Sequence, residues 1–263
     1  MTAPRLTSAG HRRSWPGWLA AALLIAGSED IRAQSPASLP DAEACLAANR
    51  SLALGAPLPR TTARLTAGEA VRIVAIGSSS TTGLWMLSPS ATYPEVMRRE
   101  LARLRPAARI EIVNSGRVGE TVPGSIARFG RDVLALKPDL VIWQLGTNDV
   151  AWGGRAEGLK EQIAEGVRAL KAGAADVVLM DLQYAPVVLN SSHHGVMQAI
   201  IAEVARQERV GLFSRFALMR RSIEAGLPAG ALVSWDGLHN STAGYDCVGR
   251  QSGLDRAAHQ GEA

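Results

Sequence analysis

A serine, a glycine, an asparagine and an Asp–His pair are spaced along this 263-residue chain so that together they could carry out acyl transfer. Ser79 stands in Gly77-Ser-Ser-Ser-Thr-Thr-Gly83, and Gly119 in Asn114-Ser-Gly-Arg-Val-Gly-Glu-Thr121. Asn148 stands in Gly146-Thr-Asn-Asp149, and the last pair in Trp235-Asp236-Gly-Leu-His239. A serine hydroxyl is a poor nucleophile until a base takes its proton. His239 is the candidate base. Asp236, three positions earlier, can accept a hydrogen bond from the other ring nitrogen and fix its tautomer. A tetrahedral intermediate also needs donors at its oxyanion. The Ser79 amide, the Gly119 amide and the Asn148 side chain are the candidates. Taken singly each residue has a plain explanation, with Asp236-Gly237 as a surface turn, His239 as a solvated loop residue and Asn148 as a turn former or helix cap. The combination favours the chemical reading.

The elements that must position these residues are legible as short apolar runs. Val71–Ile76, Arg109–Val113 and Leu140–Leu145 read as strands, and Ser79, Gly119 and Asn148 each lie in the turn that follows one of them. Asp176–Asp181 and Val210–Phe213 read as a fourth and a fifth strand. Between them, apolar residues at helical spacing mark helices. Examples are Val96, Met97, Leu101 and Leu104; Leu159, Ile163, Val167 and Leu170; and Val196, Met197, Ile200, Ile201 and Val204. Thr92-Tyr-Pro94 starts the first of these with proline in the first turn. A single helix is expected over Val122–Leu136, stopped by Lys137-Pro138. Strands alternating with helices of this length imply a parallel sheet with helices on both faces. In such a sheet, chemistry gathers beyond the carboxyl ends of the strands.

On these four blocks, in this order, the chain resembles the SGNH/GDSL hydrolases over about residues 70–250. The resemblance implies a three-layer α/β/α fold with a five-stranded parallel sheet in flavodoxin-like order 2-1-3-4-5. It also implies Ser79 as nucleophile, Asp236 and His239 as its partners, and Ser79, Gly119 and Asn148 as the oxyanion hole. The first block departs from the family pattern. It usually reads Gly-Asp-Ser-Leu, and here Ser78 replaces the aspartate and Ser80 the leucine. Ser79 keeps the nucleophile position, while Ser78 and Ser80 suit hydrogen bonds to the turn backbone.

The first 33 residues read as a secretory signal. Arg5, Arg12 and Arg13 precede the apolar run Trp18–Ala26, and small residues follow. The run is short of the ~20 residues that span a bilayer. Export to the periplasm or beyond is therefore expected, with an uncleaved anchor in the inner membrane as the alternative. Residues 34–69 carry Pro36, Pro40, Pro57 and Pro59 and read as an extended arm with one short helix near Asp41–Asn49. The segment 251–263 is polar, broken by glycine, and expected to fray. The formal charge of +4 falls by half without the first 33 residues, and no basic stripe interleaved with aromatics points to nucleic acid.

Cys45 and Cys247 are an even pair in a chain read as exported, which favours a disulfide over two separate thiols. His193 and His194 are adjacent and lack a completing Cys or carboxylate, so they read as loop or helix-start residues rather than metal ligands. No cofactor is expected. Trp85, Trp152 and Trp235 flank the blocks and are candidates for the substrate pocket, whereas Trp143 belongs in the core. The function expected is a serine esterase acting on acyl or acetyl esters, small or polysaccharide-borne. The alternatives are an O-acyltransferase delivering to a saccharide hydroxyl and a catalytically silent carbohydrate-binding relative.

Overall fold

The computed structural model describes residues 40–252, so the expected signal segment and nearly all of the expected fraying tail lie outside the described residues. The strands are β1 (Val71–Gly77), β2 (Ile110–Gly116), β3 (Leu140–Gln144), β4 (Asp176–Met180) and β5 (Gly211–Phe213). They form one parallel sheet in the order β2-β1-β3-β4-β5. The order is the one the resemblance implies.

The helices are α1 (Pro40–Ala48), α2 (Pro59–Thr66), α3 (Ser79–Thr82), α4 (Tyr93–Leu104), α5 (Val122–Ala127) and α6 (Phe129–Asp132). They continue with α7 (Thr147–Ala151), α8 (Leu159–Ala172), α9 (Pro186–Leu189), α10 (His194–Glu208), α11 (Arg215–Glu224) and α12 (Thr242–Gln251).

Side chains alternate across a strand, so each central strand feeds two cores. Ile73, Ala75, Leu140, Ile142, Val178 and Met180 face one layer, where α1, α4, α11 and α12 contribute Cys45, Met97, Leu218 and Val248. Val74, Ile76, Val141, Trp143, Val177 and Leu179 face the other, against Phe129, Ile163, Val167 and Ile201. Trp143 is fully buried, with its ring edge-on to Phe129 at 5.0 Å.

Three details differ from the sequence reading. The stretch Val122–Leu136 is not one helix but α5, α6 and a 3₁₀ turn at Leu134–Leu136. The break falls at Arg128, whose backbone leaves helical values while its buried side chain turns inward. There the guanidinium pairs with Glu120, donates to Asp132 Oδ2 at 3.1 Å and to the Ser115 carbonyl at 2.7 Å. These bonds outweigh an unbroken helix through Gly124 and Gly130, both poor helix formers. The arm holds a second helix, α2, started by Pro59 and anchored where Thr61 N donates to Asp176 Oδ2 at 2.7 Å. At the other end, Gln251 and Ser252 are buried, and Gln251 Nε2 donates to the Asn49 carbonyl at 2.7 Å.

The Cys45–Cys247 disulfide joins α1 to α12 across a separation of 202 residues. Buried Asn49 extends the seam, donating to the Leu218 carbonyl and to Ser222 Oγ on α11.

Candidate active site

Ser79 opens α3, two residues past the end of β1. Its turn is latched from the neighbouring strand by Gln144, the last residue of β3. Gln144 Oε1 accepts from Ser78 N and Ser78 Oγ, both at 2.8 Å, and from Thr81 Oγ1 at 3.1 Å. Ser78 is thus a turn-fixing residue. Gly77 is required by this close approach, since a Cβ there would lie 2.8 Å from the Gln144 Cβ.

Across the site, Ser79 Oγ lies 2.7 Å from His239 Nε2, and His239 Nδ1 lies 2.5 Å from Asp236 Oδ2. Burial would raise the Asp236 carboxyl. Hydrogen bonds from the His239 ring, from the Leu238 and His239 amides and from the Trp85 indole outweigh it and bring the value down to about 2. An ionised carboxylate only accepts, so Nδ1 carries the proton. In the neutral ring Nε2 then carries the lone pair and faces the Ser79 hydroxyl, the arrangement a general base requires.

The loop after β2 packs on the Ser79 turn through Arg117 N, which donates to the Gly77 carbonyl at 2.9 Å. Gly119 has φ +77°, a left-handed value that disfavours any side chain, and open space where its Cβ would be. Asn148 lies in α7 after β3, and its Nδ2 donates to the Glu120 carbonyl at 2.9 Å. An amide NH₂ has two hydrogens, so this bond orients the group and leaves one N–H to aim elsewhere. The next residue, Asp149, accepts from Val122 N at 3.0 Å and ties the same two loops together. Its burial pushes the carboxyl up, against hydrogen bonds from the Val122, Asp149 and Gly146 amides.

The structure therefore brings Ser79, His239 and Asp236 into one hydrogen-bonded chain, with Gly119 and Asn148 on mutually bonded loops beside it. Of the tryptophans, Trp85 is half-exposed and stands over Asp236, with Nε1 donating to Asp236 Oδ2 at 2.7 Å. The exposed Trp235 ring lies 5.2 Å from it. Trp152 is exposed at the end of α7. His193 directly precedes α10 without a capping side-chain bond, and His194 is the first residue of that helix, with Nδ1 2.6 Å from the Ser191 carbonyl and its ring stacked on Phe216. Among the described residues no group of His, Cys, Asp or Glu is arranged to hold a metal ion.

Sequence reasoning missed two glutamines. Gln144 was visible in principle, as a lone polar residue ending the apolar run Leu140–Leu145. Gln183 carried no such signal. It is buried just past β4, where its Oε1 accepts from Thr147 Oγ1 at 2.9 Å and Arg215 Nη2 at 2.6 Å. Its Nε2 donates to the Leu238 carbonyl at 3.0 Å, holding the His239 loop to the Asn148 turn.

A five-stranded parallel sheet in this order with this constellation at one rim defines the SGNH/GDSL class of carboxylic-ester hydrolases. Within it, residues 44–251 match the model of the Non-GDSL lipase-like family, and the chain belongs to that family. The altered first block agrees with that name. Among solved structures, a two-domain esterase (CEX) active on acetylated mannans is similar at 24% identity and TM-score 0.65, over 76% of this chain and 53% of its own. The chain thus spans about half the length of that esterase. A lipase/acylhydrolase from Enterococcus faecalis is similar at 20% identity and TM-score 0.60, over 72% of this chain and 96% of its own. Axe2, an acetylxylan esterase from Geobacillus stearothermophilus, is similar at 22% identity and TM-score 0.56, over 72% and 94%. At these identities the likeness is one of fold. No curated protein matches the chain.

Proposed function

We propose that this protein is an exported serine esterase that removes short acyl groups, acetyl above all, from saccharide hydroxyls. The observation that carries the reading is the unbroken contact chain from Ser79 Oγ through His239 to an ionised Asp236. As Ser79 Oγ attacks the ester carbonyl, its proton passes to His239 Nε2, and Asp236 stabilises the imidazolium. The oxyanion is met by the Ser79 and Gly119 amides and the free Asn148 N–H. Collapse expels the alcohol, which takes the proton back from His239. Water, activated by the same base, then releases the acid and restores Ser79.

The saccharide assignment is supported by the exposed indole faces of Trp85 and Trp235 beside the triad, since such rings suit stacking on sugar faces. Trp152, at the end of the helix that carries Asn148, offers a further aromatic surface. The mannan-active and xylan-active esterases of the same fold lend the assignment weight. Export is supported by the Cys45–Cys247 bridge, because disulfides persist in oxidising compartments. No described helix is long and apolar enough to cross a membrane.

A fluorophosphonate probe should label Ser79, and Ser79→Ala should abolish labelling together with turnover of acetylated xylo- and manno-oligosaccharides. Labelling at Ser78 or Ser80 would refute the nucleophile. A clear preference for long-chain p-nitrophenyl esters would refute the substrate class.

A further inference from the structure

Four donors fill the Asp236 carboxylate. Oδ1 accepts the Leu238 and His239 amides, each at 3.0 Å, which are local bonds of the loop. Oδ2 accepts His239 Nδ1 and, from a residue 151 positions earlier, Trp85 Nε1 at 2.7 Å. A carboxylate has about four lone-pair sites, so this one is saturated and its rotation is blocked.

Trp85 is itself held on the nucleophile. The Ser79 carbonyl accepts from Gly83 N and Leu84 N, both at 3.0 Å, and Trp85 follows directly. Gly83 is left-handed at φ +87°, with Thr92 Cγ2 2.1 Å from where its Cβ would be. Trp85 is also left-handed, at φ 72°, which is a rare outlier for a bulky side chain. Strain of that kind persists only where the surroundings impose it. Here the tight turn swings the indole back across the site, and the circuit closes: Ser79 Oγ to His239, to Asp236, to Trp85, and through Leu84 N back to the Ser79 carbonyl.

We propose that Trp85 is a positioning residue of the reaction, its indole N–H holding the Asp236 carboxylate in the orientation in which Oδ2 faces His239 Nδ1. The inference rests on the triad assigned above. Trp85 touches no reacting atom in this role. It acts through Asp236, so its effect must vanish when Asp236 is gone.

The test is a double-mutant cycle with p-nitrophenyl acetate, a substrate too small to need the tryptophan faces. W85F, which keeps an aromatic ring and loses the N–H, should lower kcat about tenfold, the scale of one hydrogen bond to a charged group, with KM within about twofold. In the D236A background the same change should cost less than about twofold. An equal loss in both backgrounds, or no loss in W85F while D236A is slow, overturns the role of Trp85 and leaves the triad standing. A D236A enzyme with wild-type kcat removes the triad and this inference together. Should W85F melt early, hydrogen exchange in the wild type and in D236A carries the test. The Trp85 indole proton should exchange with deuterium about tenfold more slowly than that of Trp235 and lose its protection in D236A, and equal exchange rates overturn the proposal.

Discussion

Ser79 stands two residues beyond the ladder of β1, and Gln144 from the adjacent central strand grips its turn. Asp236 and His239, by contrast, lie on a loop outside the five strands. The loop closes on itself through Ser234 N to the His239 carbonyl at 2.7 Å and a single bridge between Val233 and Asn240. Besides the burial of Leu232, Val233 and Leu238 in the two cores, it is tied to the rest of the molecule by hydrogen bonds, from Gln183 to the Leu238 carbonyl, from Trp85 to Asp236 and from Val187 N to the Gly237 carbonyl. The half that holds the proposed nucleophile inherits its position from the sheet, and the half that holds the proposed base is held bond by bond. Damage to the two halves should therefore look different, since the sheet tolerates loss of one side chain better than a loop does.

The largest effect falls on the sheet-borne half. In the proposed mechanism Asn148 supplies one oxyanion donor, and the Glu120 carbonyl accepts from its Nδ2. Asn148→Ala should lower kcat by about 10²–10³, with KM little changed and the melting temperature nearly constant. Michaelis–Menten kinetics with p-nitrophenyl acetate, beside a thermal melt, check this. A near-normal kcat would reduce Asn148 to a turn residue and remove the chemical half of the contrast.

A smaller loss, of a different kind, is expected from the clamps. Gln183→Leu strips partners from Thr147 Oγ1, Arg215 Nη2 and the Leu238 carbonyl, all at a buried position. Leaving a buried group unpaired costs about 1–3 kcal/mol. Urea denaturation should show a loss of that size, accompanied by a fall in kcat because the His239 loop is loosened. Gln144→Leu should show a comparable loss of stability, since Ser78 N, Ser78 Oγ and Thr81 Oγ1 lose their acceptor. The sheet should nevertheless keep Ser79 closer to register, so kcat per folded molecule should fall less than in Gln183→Leu. The reverse order would dissolve the comparison.

The same division decides what could be read from sequence. The strands, their order of appearance and the turns carrying Ser79, Gly119 and Asn148 were legible, because burial imposes local patterns a few residues long. The Asp236/His239 pair was legible through its spacing. The clamps were not, because their partners are remote: Gln183 and Leu238 are 55 positions apart, and Trp85 and Asp236 are 151 apart. Trp85 could be placed near the site but not joined to the carboxylate. The single helix expected from Val122 to Leu136 failed for the same reason, since Arg128 turns in toward carbonyls and carboxylates that no helical period reveals. Helix α2 escaped notice because four prolines made its surroundings read as extended, although Pro59 sits where a helix accepts one.

The subtlest difference between the halves is electrostatic, and it concerns Asp181. This carboxylate lies two residues before the clamp Gln183, accepting Ser214 Oγ at 2.7 Å and Phe216 N at 3.0 Å at the start of α11. Full burial pushes its carboxyl up to about 6, against the Ser214 and Phe216 hydrogen bonds and the Arg215 charge. Asp236 is shifted the opposite way, to about 2. A carboxyl raised in the folded state binds its proton more tightly there than in the unfolded chain. Its stabilising contribution is complete below the unfolded value near 3.8 and is lost as pH rises through about 6. Asp236 behaves conversely: its contribution is present above that unfolded value and lost as pH falls through about 2. Asp181→Asn keeps the shape and can still offer Oδ1 to Phe216 N and Nδ2 to Ser214 Oγ, but it does not titrate. The unfolding free energy of the wild type minus that of Asp181→Asn should therefore fall by roughly 2–3 kcal/mol between pH 4 and pH 7. Urea titrations of both proteins across that window measure it. A difference that stays flat with pH would mean that Asp181 is ionised throughout this window and that the Ser214 and Phe216 hydrogen bonds and the Arg215 charge outweigh its burial.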